Sequence, residues 1–464
     1  MNDSRRTTSH ARRRALGWGH VNGALWSIGN GLTTGTLIVY LALDMGARGA
    51  SIGLILATPY LVGLLRMGAP LLIRRFGTAK AMCLSLSLAS YLLLTLLPAL
   101  AFVAPDWKFS NYSDALPLLI GVLCVHQLLE YLGVVAFWSW MADLVPRRIR
   151  GRYFGRRQIW QLAVLIPTLL ASGGFTDWWR AAFPDAVTIA YAIPTALGVV
   201  FLLLSLLPLA AMPATQYVSS ESAPIWRTLL SPLADARFRR LLLFGCWFSF
   251  FNGVTQTPQN IYPKEVLGFG VLALVVMRTT MRVGQLGASA WVGPFSDRYG
   301  NRPTLIVSQL LVAAGPLFFL WATPAQPWWL TGAWIVWSAY AGLNICLPNL
   351  MLKLSPERDN SAYIAAYFAL TGVLHAVSTV AGGWLFDVLS TQRGVYPVGP
   401  FQFDLYEYYF WIGWVTRTLG VLLLVRIIEP GAWRWRDIIV GDRRAARRYL
   451  SRAWQRRMRN KKTT

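Results

Sequence analysis

Long apolar runs recur from one end of this chain to the other, and that repetition limits the fold more than any motif does. A helix that crosses a bilayer needs about 20 predominantly apolar residues. Twelve stretches supply them: 18–43, 51–73, 78–103, 115–145, 158–175 and 187–211, then 241–262, 270–295, 303–322, 328–352, 361–389 and 405–428. Only 14% of the 464 residues are charged and mean hydropathy is +0.43, against about 25% charged in soluble domains. The runs are continuous, not alternating with period two, which speaks against a β-barrel. The expected fold class is an all-α polytopic membrane protein with twelve transmembrane helices. Residues 1–14 are polar and Arg-rich, and the spanning-length run after them carries no small-residue cleavage site, so no cleavable signal peptide is expected.

A net charge of +24 raises the question of nucleic acid, and the distribution of the charge answers it. With the N-terminus inside, 34 of the 44 Lys and Arg fall on that side of the membrane and five on the other, with five more inside spans. Such a bias places both termini in the cytoplasm and suits a plasma or inner membrane rather than a nucleic-acid partner. Trp107, Trp178, Trp179, Trp328 and Trp329 fall at the outer ends, where an aromatic belt is expected.

The two sets of six spans repeat each other. Shifting the first by 210 residues lays MADLVPRRIRGRY (141–153) over MLKLSPERDNSAY (351–363) and places Ala171, Gly173 and Asp177 on Ala381, Gly383 and Asp387. In another loop RRFG (74–77) answers DRYG (297–300) at a shift of 223. Parallel six-helix repeats are one of the internal symmetries of secondary transporters, whose substrate site lies between the halves near the midplane. The expected organisation is an N-terminal six-helix bundle at 1–211, a cytoplasmic linker at 212–240, a C-terminal bundle at 241–428 and a basic tail at 429–464. Paired apolar positions alternate with Arg along that tail, a pattern suited to an amphipathic helix on an anionic leaflet.

Twelve spans, a six-plus-six repeat, cytoplasmic termini and G-x-x-x-D-R-x-G-x-R between spans 8 and 9 together resemble the major facilitator superfamily. Gly293, Asp297, Arg298, Gly300 and Arg302 match the signature cytoplasmic loop of that family position for position. The resemblance implies that this loop gates the cytoplasmic side and that spans 1, 4, 7 and 10 line a central cavity. Physically, Gly300 permits a tight turn. The first turn of span 9 offers unpaired N–H groups that an acidic side chain could satisfy. The first half departs from the signature, with Arg74 where an Asp should stand, and Asp143 with Arg150 and neighbouring arginines is a candidate compensating network.

Polar residues inside spans are costly and mark interior or cavity-facing positions. Span 1 carries Asn22, Trp26, Asn30 and Thr33 at helical spacing; span 4 carries His126, Gln127 and Glu130; span 7 carries Asn252, Gln256 and Gln259; span 10 carries Trp337, Tyr340 and Asn344. Span 8 holds Arg278 and Arg282 on one face, each costing at least about 2.5–3.5 kcal/mol at a helix centre. Glu130 is expected to pair with one of them, leaving the other for an anionic group; a purely structural bridge, with Arg66 as another partner for Glu130, is the alternative. Arg417 in span 12 is expected to pack structurally. His126 and Glu130, one turn apart, are the candidate proton-coupling pair. The substrate and coupling set is therefore His126, Glu130, Arg278, Arg282, Asn30, Asn252, Gln256 and Asn344. The gate set is Gly293, Asp297, Arg298, Gly300, Arg302, Asp143 and Arg150.

Nothing in the sequence suggests a cofactor or a resident metal. The four cysteines lie inside spans without ligand spacing, and no nucleophile motif or nucleotide loop points to an enzyme. The leading expectation is a secondary active transporter of a small solute, with a preference for an anion or zwitterion and with protons as the candidate coupling ion. A monomer in the bilayer is the expected assembly. The rival is a transporter-like protein with a lipid-handling, receptor or assembly role.

Overall fold

The computed structural model describes residues 9–33, 35–65, 69–103, 115–145, 150–214, 232–355, 360–391, 396–398 and 401–432. The tail 433–464, the linker segment 215–231 and Arg66 lie outside the described residues, as do the side chains of Asp143 and Arg150.

Helices occur at all twelve expected positions. Eight are long and apolar enough by themselves to cross a membrane; they are spans 3–6 and 9–12, from Ala79–Leu100 to Leu405–Val425. The other four are spans 1, 2, 7 and 8. Span 1 is described as Ser9–Leu32 and Gly35–Asp44, with residue 34 between them outside the described residues. Thr33 closes the first piece by donating its hydroxyl to Gly29 O (3.0 Å). Span 2 is described as Gly49–Leu65 and Ala69–Phe76, with residues 66–68 between them outside the described residues. Spans 7 (Ala236–Glu265) and 8 (Val271–Tyr299) are 30 and 29 residues long, but amides and arginines along their length lower their hydropathy. Polarity here marks the helices nearest the interior.

Several spans jog. Span 3 pauses at Thr95 and span 6 at Ser205, where a hydroxyl bonds back to Leu92 O and Leu202 O, both at 2.6 Å. Span 10 contains a tighter turn at Trp337–Ala339. Trp337 is buried and donates to Val312 O of span 9 (3.2 Å), so it serves the packing of the second half and not a cavity. A short antiparallel strand pair, Tyr396–Val398 with Phe401–Phe403, leads into span 12. Asp404 and Glu407 then form a reciprocal cap that starts that span.

Span 2 packs along span 11, and span 5 along span 8, across the seam between the halves. The hydrogen bonds joining the halves cluster at the charge-poor end. Asp177, near the end of span 5, accepts from the backbone N–H of Val271 (2.8 Å) and Leu272 (2.9 Å) at the start of span 8. Asp387, near the end of span 11, accepts from Gly49 (2.6 Å) and Ala50 (2.7 Å) at the start of span 2. Glycines allow the approach. A Cβ on Gly383 would collide with Gly49 O, and one on Gly173 would crowd Leu272. Beside these caps, Asp44 of span 1 meets Lys264 of span 7 (2.6 Å), Arg180 (3.2 Å) and the Tyr191 hydroxyl. The Tyr40 hydroxyl donates to Phe269 O (2.8 Å).

Candidate functional site

A cavity of about 400 Å³ lies between spans 1, 3, 4, 5 and 6 of the first half, with Arg282 of span 8 supplying the wall from the second. Span 1 contributes Asn22, Trp26, Ser27 and Asn30, residues spaced so that one helical face presents them. Two cavity-lining guanidinium groups, from Arg157 and Arg282, face no carboxylate in the lining. That combination is expensive in a membrane interior unless something anionic compensates it.

Arg157 and Arg282 differ in what they already hold. Arg157 is buried; it donates to Gly19 O (3.2 Å), Gln161 Oε1 (3.2 Å) and Asn22 Oδ1 (3.0 Å), and stacks over Phe137. Asn22 in turn donates to Ser205 O (3.0 Å), so span 6 braces the group. Arg282 has no hydrogen bond or ion pair among the described residues. Sequence reasoning had counted Arg157 with the cytoplasmic loop charges, because helix Arg150–Ala182 begins well before the expected 158. The signal that could have found it is its spacing with Gln161, Leu165 and Leu169, a stripe that continues down the cavity wall.

The expected pairing of Glu130 with a span-8 arginine is corrected. Glu130 Oε2 lies 3.6 Å from His126 Nε2, and Glu130 Oε1 accepts from Trp26 Nε1 (3.4 Å). His126 is held from behind by Ser90, whose hydroxyl sits 2.8 Å from Nδ1 and donates to His126 O (2.9 Å). Both partners of Glu130 are in its own half, and they satisfy it without reaching across. Arg278 instead donates to Thr36 of span 1 (2.9 Å) and Asn260 of span 7 (2.7 Å), and stacks over Trp334. It ties the halves together above the cavity.

The remaining expected residues scatter. Asn30 lines the cavity. Asn252 is taken by Arg417, which donates to its Oδ1 (2.7 Å) and to Thr255 Oγ1 (3.2 Å). Arg417 is thus fully buried against span 7, in keeping with a packing role. Gln256 sits 2.7 Å from His375 Nε2 and lines a second cavity of about 290 Å³ with Tyr60, Gln127 and Tyr131. Asn344 is exposed and lines neither cavity.

At the basic end, span 8 runs on through the signature stretch to Tyr299, and the turn comes only at Gly300, with φ +103. Gly77 holds the matching turn of the first half with φ +78. Asp297 and Arg298 are exposed on the last turn of span 8, with Arg298 over the Tyr299 ring, and Gly293 O accepts from the Ser296 hydroxyl (2.8 Å). The acid that caps span 9 is Glu429, just beyond span 12. It accepts from the backbone N–H of Asn301 (3.1 Å) and Arg302 (2.6 Å), from Asn301 Nδ2 (2.8 Å) and from Lys353 Nζ (2.8 Å). Arg302 closes the knot by donating to Ile427 O (3.0 Å). Spans 9, 10 and 12 are locked together there.

The family model for the Major Facilitator Superfamily matches residues 21–379 and 279–454. A search of curated proteins found no match. Among solved structures, a variant of the nucleoside transporter NupG is similar at 15% identity, covering 89% of this chain and 100% of that one, with a TM-score of 0.64. A bacterial homologue of the iron transporter ferroportin, in an inward-facing state, is similar at 13% identity, covering 91% and 99%, with a TM-score of 0.61. The xylose transporter XylE from E. coli, in an inward-open conformation, is similar at 15% identity, covering 89% and 95%, with a TM-score of 0.58. Identities this low speak to the fold and not to the solute. The chain is an integral membrane protein, and it belongs to the major facilitator superfamily of membrane transporters.

Proposed function

We propose that the protein is a secondary active transporter that carries a small anionic solute by alternating access. The observation that carries this reading is the cavity itself, lined by Arg157 and Arg282 with amides between them and no carboxylate in its wall. In a low-dielectric interior an unneutralised guanidinium attracts an anion far more strongly than it would in water. Binding relieves the cost of burying the charge.

The ties at the charge-poor end and the cavity's reach toward Asn22, Gln158 and Leu209 at the basic end support reading this arrangement as one of the two access states. With both termini cytoplasmic, as the charge bias argues, that state faces inward. Transport then requires the caps at Asp177 and Asp387 to open while the basic end closes. Asp297 and Arg298, both exposed on the last turn of span 8, would contribute contacts at the basic end in that second state.

Proton coupling would act through Glu130. Trp26 lines the cavity and donates to the Glu130 carboxylate, so protonating Glu130 weakens a charge-assisted bond held by a residue the solute would touch. His126 on the next turn offers the proton a second seat.

A thermal-stability screen of purified protein tests the solute class, since a ligand that binds only the folded state raises its stability. Carboxylates and organic phosphates are expected to raise the melting temperature, and neutral sugars and lipophilic cations to leave it unchanged. Stabilisation by cations or sugars alone would overturn the anionic reading. Stabilisation by lipid alone would favour a lipid-handling role.

A further inference from the structure

The cavity offers its polar groups unequally, and that asymmetry narrows the solute beyond its charge. Arg157 has donors committed to Gly19, Asn22 and Gln161. Each of its three nitrogens already donates, which leaves two of its five N–H donors, so what it adds is chiefly a fixed positive potential. Arg282 stands one turn after Arg278, whose own guanidinium is engaged by Thr36 and Asn260. Among the described residues Arg282 alone of these three has its fork unengaged. A free guanidinium fork matches one carboxylate or phosphoryl group bidentately. One head group is therefore provided for, and a second anionic group on the same solute would find no comparable partner.

The rest of the wall is mixed: Asn30, Ser87, Gln158 and Gln161 offer polar groups, and an aromatic and aliphatic sector lies beside them. Trp26, Tyr91, Phe137 and Trp138 ring the space, and Leu162 and Leu165 continue it along span 5. A volume of about 400 Å³ falls within the range of small-molecule sites, roughly 300–1,000 Å³. Against the aromatic sector water gains little, and a flat apolar body displacing it there gains about 25 cal/mol for each Å² removed from solvent.

Resting on the anionic-transporter reading above, we propose that this cavity selects an organic monoanion with a flat apolar body, its acidic head on Arg282 and its body against the aromatic wall of the first half. The solute itself then bridges the two halves, because the head is held by span 8 and the body by spans 1, 3, 4 and 5. A divalent small acid or a bare inorganic ion fits less well, since each lacks a body and the former carries a charge with no partner.

The test is binding to the purified full-length protein by thermal shift and calorimetry, with four probes: naphthalene-2-acetate, its neutral primary amide, succinate and inorganic phosphate. Naphthalene-2-acetate is expected to bind at least tenfold more tightly than the other three. Arg282→Ala should weaken it at least tenfold, Arg282→Lys less, because an ammonium keeps the charge but loses the fork. Trp138→Ala should weaken naphthalene-2-acetate several-fold while leaving acetate unchanged. Equal or tighter binding of succinate or phosphate would overturn the monoanion proposal and leave the anionic reading standing. Equal binding of the amide, or no binding by any anion, would overturn both. The four-probe comparison on the unaltered protein decides the matter even if Arg282→Ala fails to fold.

Discussion

Asp177 and Asp387 hold the same post on opposite halves of the molecule. Each lies near the end of a long helix and accepts hydrogen bonds from two backbone N–H groups at the start of a helix in the other half. A carboxylate at a helix N-terminus satisfies orphan donors and meets the positive end of the helix dipole. Because each cap crosses the seam, each is made only while the charge-poor end is shut.

Loss of a helix cap costs about 0.5–2 kcal/mol. The two caps sit on separate helix ends, so their effects should add. Asp177→Ala and Asp387→Ala are each expected to shift the balance toward the state open at that end by about tenfold, and the double variant by about a hundredfold. Spin-label distances between cysteines placed at Asp185 and Gln326, both exposed on loops at that end, report the shift. An unchanged distance distribution in the double variant would deny the caps a part in closure.

Glu429 is the second lock, and it titrates. Burial pushes its carboxyl up, but the Lys353 ammonium and the amides of Arg302 and Asn301 outweigh burial and hold it below its usual 4.5. The folded state then binds the proton less readily than the unfolded chain. Its contribution is complete above about pH 4.5 and is lost as pH falls through the lower folded value. Glu429→Gln should cost about 1–3 kcal/mol at neutral pH, in line with hydrogen bonds to a charged group. The variant's melting temperature should also fall less steeply than that of the unaltered protein on acidification from about pH 5 to pH 3.5. Parallel acid profiles would contradict the assignment.

The twelve spans were legible because the bilayer imposes length and apolarity on every one of them. The repeat at a shift of 210 had already laid Asp177 on Asp387 and Gly173 on Gly383. What the repeat could not show was that each pair reaches into the other half, since that depends on how the halves dock. Glu429 was invisible for the same reason. The need for an acid at the start of span 9 could be read locally, but the acid that serves is 128 residues away from Asn301. Arg278 and Glu130 misled because charge complementarity in a sequence carries no geometry. Glu130 found His126 and Trp26 nearer, and Arg278 found neutral oxygens. Of the expected cavity residues, Asn30 and Arg282 line the cavity that holds Arg157, while Asn252 is spent on Arg417.

Glu130 offers a way to separate coupling from binding. Glu130→Gln keeps a side chain of the same shape and an acceptor for Trp26, but it cannot cycle a proton. Accumulation driven by a pH gradient is expected to disappear while solute exchange at equal concentration persists. Trp26→Phe should retain the aromatic wall and shift the pH dependence of transport, because the donor to Glu130 is gone. Gradient-driven accumulation by Glu130→Gln at the rate of the unaltered protein would exclude this carboxylate from coupling.

Flux of a labelled organic monoanion into proteoliposomes, compared between the unaltered protein and Arg282→Ala, bears most directly on the central claim. Saturable uptake that Arg282→Ala reduces at least tenfold, with the variant still folded and inserted, is the expected result. Uptake that is indifferent to Arg282, or confined to cationic or neutral solutes, would contradict an anion-carrying cavity.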